Sequence, residues 1–182
     1  MESSIFSPAA DWQAPTVLQV KLMMEKVAER FGCEVFELHK YFKADARTFR
    51  RWKENAETTP SSESSIRYTA WVLLVAIADN RIILTEDGKP LSPNSKEAWD
   101  IIYNNFVYTA DNFVTPPMKI VELFLGANEF SITGMNRTNL AKFIGYVPSH
   151  FGRLIGKMNF SVWSVLLILY GVPVSKIFPI KK

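Results

Sequence analysis

The chain has 182 residues, 48% of them apolar and 13% aromatic, enough to fill real cores in one domain or two compact ones, which excludes a disordered polypeptide. Its formal charge of +3 does not by itself establish an anionic partner. A lone cysteine, Cys33, excludes an internal disulfide, and two distant histidines give no zinc-ligand spacing, so neither a metal nor a cofactor is expected. The longest apolar run, Ala70 to Ala78, is half a membrane span, and Met1-Glu2-Ser3-Ser4 lacks the basic start of a secretion signal. The expectation is a cytoplasmic, all-α protein without a membrane partner.

In chain order, Pro15 suits the first turn of a helix in which Leu18, Leu22, Met23 and Val27 recur at helical spacing until Gly32 ends the run. A second helix is expected over about 34–42, and a third from Ala46 to about Glu57 with Asp45 as its N-cap. The polar, proline-containing stretch Thr58 to Ser65 reads as a loop, and Tyr68 to Ala78 as a closing apolar helix. Residues 81–94 change character, and Asp87-Gly88 marks a turn that predicts a small β-hairpin or a loop. Next comes a helix from Lys96 to Asn105, capped by Asn94 or Ser95, with Trp99, Ile102, Tyr103 and Phe106 in one apolar stripe. That stripe serves either to join the parts of the chain before and after it or as a homodimer face. Helices are then expected up to Leu125, across 137–154 and from Ser161 to Tyr170, while the tail from Val172 is too proline-broken for one.

Residues 15–52 return in register at 117–154. An offset of 102 carries Pro15 to Pro117, Leu18 to Ile120, Leu22 to Phe124, Gly32 to Gly134, Leu38 to Leu140, Phe42 to Ile144, Phe49 to Phe151 and Trp52 to Leu154. Each copy also ends in a tryptophan-led apolar run, beginning at Trp71 and at Trp163. Two copies of one small helical unit are therefore expected, over 12–80 and 115–182, with a linker over 81–114.

Residues 137–154, RTNLAKFIGYVPSHFGRL, resemble the helix-turn-helix of the lambda-repressor and Cro-like family. Leu140 and Ile144 supply an inward face, Ala141 the small contact residue, Gly145 the turn, Pro148 a helix start, and Phe151 and Leu154 the second inward face. The first copy, 35–52, places His39 at the small-residue position and Lys43 at the turn-glycine position. Lysine in a left-handed turn costs roughly 1 kcal/mol relative to glycine, so a longer or differently shaped turn is expected there. The wider pattern over 12–75, with "TFRRW" and then "YTAW", is also similar to regulators carried by phages and other mobile elements.

Between Lys40 and Lys53 lie six cationic side chains against the single Asp45. The resemblance implies double-stranded DNA as partner, each second helix lying in a major groove. For copy one it implies Arg47, Thr48, Arg50 and Arg51 at base edges with Lys43 and Lys53 on phosphates. For copy two it implies Ser149, His150 and Arg153 at bases, with Arg137, Thr138 and Lys157 on the backbone. Two units in one chain can imitate a two-fold dimer, setting their recognition helices roughly 34 Å apart. His39 and Cys33 read as packed side chains, Trp52, Trp71 and Trp163 as core anchors, and His150 as either a DNA contact or a solvent-facing ring. No nucleophile–base set or glycine-rich phosphate loop is suggested, so neither an enzyme nor a small-molecule substrate is expected. The alternative is a protein-interaction module, such as an accessory factor in plasmid transfer or an inhibitor of a host defence.

Overall fold

A computed structural model describes residues 4–181, and the protein is all-α. Its helices are α1 (Val17–Phe31), α2 (Leu38–Tyr41), α3 (Ala46–Trp52), α4 (Tyr68–Asp79), α5 (Lys96–Asn105), α6 (Met118–Val121), α7 (Arg137–Phe143), α8 (Pro148–Leu154), α9 (Phe160–Leu169) and α10 (Val174–Ile177). Among the described residues there is no strand, and Thr16 and Glu63 form an isolated antiparallel bridge. No helix there is long and apolar enough to cross a membrane.

The centre of the molecule is the pair α4 and α9, which pack against each other and are buried along nearly their whole length. Helices apolar on every face need neighbours on every face, and the remaining elements supply them. Thr16 and Gln19 start α1 with a reciprocal capping box, and Gly32 ends it at φ 64°. Pro15 therefore lies outside the helix. The inward stripe of α1 is Val20, Met23, Met24, Val27 and Phe31, whereas Leu18 and Leu22, expected inside, are 38% and 51% exposed.

α3 and α8 occupy 46–52 and 148–154, so the 102-residue offset holds through them. It falls to 92 for α4 and α9, because the connection 53–67 is ten residues longer than 155–159. That register pairs Trp71 with Trp163, both fully buried. Each indole N–H donates to a backbone carbonyl ahead of its unit, Ile5 O at 2.6 Å and Phe106 O at 2.8 Å. Trp12 lies edge-on to Tyr68 at 5.3 Å, and Phe113 to Phe160 at 5.4 Å. The correspondence thus reaches back to residues 5–12 and 106–113, beyond the stretch in which side-chain matching is visible.

The two halves interlock within one core. The turn after α2 meets the start of α9, where the Ser161 hydroxyl donates to Phe42 O at 3.4 Å. The turn after α7 meets the start of α4, where Gly145 lies against the Tyr68 ring. Tyr68 donates to Ile83 O at 3.1 Å, and burial raises its hydroxyl pKa far above the ordinary tyrosine value. The tail closes the seam, with Phe178 at 1% exposure between Phe31, Phe42 and Phe160.

Several local expectations are corrected. Residues 81–94 form a loop rather than a hairpin: Ile83 and Leu84 are adjacent and both buried, so the alternation of a half-buried strand is lost. α3 stops at Trp52, five residues early, because the chain turns through Asn55 at φ 64° and Ser64 Oγ donates to the Trp52 carbonyl. The tail does contain a helical turn, α10, with Pro173 just ahead of it where a missing N–H does no harm. On α5, Trp99 packs on Phe124 and Tyr170, so the named contacts of this helix fall on the second half. Cys33 is partly exposed rather than buried, and desolvation together with Glu37 and Glu34 raises its thiol pKa.

Candidate nucleic-acid interface

The two short helix pairs, α2–α3 and α7–α8, turn in the same way. Lys43 has φ 50° and Gly145 φ 74°. The next amide reaches back to an equivalent carbonyl in each, Ala44 N–H to His39 O at 3.0 Å and Tyr146 N–H to Ala141 O at 2.8 Å. The longer turn expected in the first copy is not found, because Lys43 takes the left-handed conformation. Its cost of about 1 kcal/mol is offset locally: the ammonium donates to Phe113 O at 3.2 Å and lies 5.6 Å from the ring centroid. That placement ties Lys43 to the stretch ahead of the second helix pair.

Gly145 answers a second demand besides its φ. A Cβ there would stand 2.6 Å from Tyr68 Cδ1. His39 does not enter the space that Ala141 fills; its ring is half-buried and its Nδ1 lies 2.8 Å from Phe36 O.

On α3, Asp45 Oδ1 accepts from the amides of Arg47 at 2.7 Å and Thr48 at 3.3 Å, while Phe49 and Trp52 anchor the inner face. Arg47, Arg50 and Arg51 follow at i, i+3 and i+4 and share the exposed face with Thr48. None of the three arginines is ion-paired to a described residue, and Lys53 at the helix end is half-buried. These side chains are brought together as expected.

α8 has no side-chain cap. Val147 precedes it and Pro148 occupies its first turn. Phe151 is fully buried, and Ser149, His150 and Arg153 are exposed. Gly152 stands where the first copy has Arg50, and a Cβ there would lie 3.5 Å from the Arg137 guanidinium. Arg137 reaches across from α7 and sets a positive charge over Gly152, in addition to the exposed Arg153 of α8 itself. Sequence reasoning placed Arg137 on the backbone and missed this substitution in space; the signal was a glycine at the arginine position. Thr138 and Lys157 are exposed, Thr138 in the first turn of α7 and Lys157 beyond the end of α8.

The turns ahead of the two helices meet at one cleft. Ala44 and Tyr146, equivalent positions just ahead of α3 and α8, line one cleft of about 500 Å³. Each turn packs on the other half's central helix. Among the described residues no group of three or more histidines, cysteines or carboxylates could hold a metal ion. No protein-family model, curated protein or solved structure matches the chain.

Proposed function

We propose that this protein binds double-stranded DNA sequence-specifically through two helix-turn-helix units, the first making the stronger contacts, and acts as a transcriptional regulator of a phage or mobile element. The observation that carries the reading is the outer face of α3, where Arg47, Arg50 and Arg51 stand exposed and free of ion pairs with described residues beside Thr48. Arginine forks suit guanine O6 and N7, and a row at i, i+3 and i+4 suits a major groove. The equivalent face of α8 carries Ser149, His150 and Arg153, a different chemistry, which favours a non-palindromic site.

Fluorescence anisotropy on duplexes selected from random DNA tests the reading: affinity falls steeply with salt and falls again in Arg50→Ala and Arg51→Ala. A second reading, docking on a partner protein, is favoured by Phe36 and Phe130 at 73% and 74% exposure and by Val147 at 57% ahead of α8. Salt-independent, micromolar-or-weaker DNA binding would favour it.

A further inference from the structure

We infer that Arg137, although it belongs to α7, is the guanine-reading side chain of the second helix pair, seated in the space left by the missing side chain of Gly152; the assignment rests on the DNA-binding reading and names the base the second pair selects. The offset of 102 carries the cationic row of α3, Arg47, Arg50 and Arg51, to Ser149, Gly152 and Arg153 on α8. The middle cation is missing from the helix itself. Arg137 restores it from outside: a Cβ on Gly152 would lie 3.5 Å from Nη1, 3.7 Å from Cζ and 3.9 Å from Nε of its guanidinium. The charge stands where a side chain equivalent to Arg50 would begin.

The backbone of Gly152 does not call for glycine. Unlike Gly145 it has no positive φ, and it sits inside α8, where glycine is less stabilising than alanine. An alanine Cβ would make ordinary van der Waals contact with Arg137, so the space kept open is for what lies beyond Cβ. Any longer side chain there would meet the guanidinium. The glycine and the arginine thus form one unit, in which a stability cost on α8 leaves room for a cation brought from α7.

Phosphate contact is the other role open to an arginine at this place, and three observations favour a base edge. Arg137 is exposed and makes no hydrogen bond or ion pair with a described residue, so its donors are free for a ligand. Its guanidinium rests over Gly152, which holds the planar fork in one place and lowers the entropy lost on pairing. Ser149, three residues before Gly152, and the adjacent Arg153 are both exposed, so the fork lies within the row that corresponds to Arg47, Arg50 and Arg51. A guanidinium fork at that place in a major groove pairs with guanine O6 and N7.

The test is selection of a preferred duplex for the full chain, followed by anisotropy titrations at fixed salt on duplexes that carry each base in turn at each position. In Arg137→Ala the preference for guanine at one position should fall roughly tenfold, with the preferences elsewhere unchanged. Gly152→Leu, which keeps Arg137 but fills its seat, should lose the same preference, its fold checked by a thermal melt, and Gly152→Ala should keep it. The combined Arg137→Ala/Gly152→Leu variant should lose no more than Arg137→Ala alone. An equal loss on every duplex in Arg137→Ala would assign the guanidinium to phosphates and overturn the inference while leaving the DNA reading intact. A guanine preference that survives Gly152→Leu, or a further loss in the combined variant, would overturn it as well. Weak binding of every duplex by the parent chain would remove the DNA reading itself, and this inference with it.

Discussion

The two helix pairs share one backbone and divide their chemistry. α2–α3 carries three arginines on the exposed face of α3 but turns on a lysine held in the left-handed region; α7–α8 carries the unstrained glycine turn, with Arg153 as the one cation of α8 itself. The difference teaches that the turn residue is not what fixes the turn. The same two backbone hydrogen bonds close both turns, and the surroundings of each decide which residue is tolerated. Lys43 can extend to Phe113, whereas any side chain at Gly145 would meet Tyr68.

The largest expected effect breaks the interlock of the two halves. Phe178→Ala removes a buried ring shared by Phe31, Phe42 and Phe160, and should cost about 3–5 kcal/mol in denaturant unfolding. Next is the turn of the second pair. Gly145→Ala combines a left-handed φ with a clash on Tyr68, and should cost about 2–4 kcal/mol by the same measurement. If it proves neutral, the two turns are not held by different neighbours and the comparison fails. The third effect is on the ligand-facing side: Arg50→Ala and Arg51→Ala should each weaken duplex binding by about 1–3 kcal/mol in anisotropy titrations. The smallest is Lys43→Gly, which removes the left-handed strain and also the Phe113 contact, so the melting midpoint should shift by less than about 1 kcal/mol in equivalent stability.

The all-α class, the start of α3, the positions of α5 and α8, and the Asp45 and Ser95 caps were legible because they rest on local signals: helical spacing, a capping side chain, a proline at a helix start. The exposed face of α3 was legible for the same reason. What was not legible depends on contacts distant in sequence. Leu22 reads as core by spacing, but α4 approaches the other side of α1 and the stripe shifts to Val20, Met23 and Met24. Nothing local in Phe178 announces that it closes the seam, nor in Gly152 that Arg137 will lie over it. The 34 Å spacing rested on treating the units as independent. In the structure Ser161 and Tyr68 hold each turn against the opposite half.

The central claim is that the first pair carries the nucleic-acid-facing charge and the second supports it. One salt-titrated anisotropy series tests it directly, comparing the parent chain, Arg50→Ala/Arg51→Ala and His150→Ala/Arg153→Ala on the same duplex. The account predicts tight binding at about 50 mM salt with a steep slope, a flatter slope and a large loss for the first double variant, and a clearly smaller loss for the second. Equal losses, or weak and salt-independent binding by the parent chain, would contradict it.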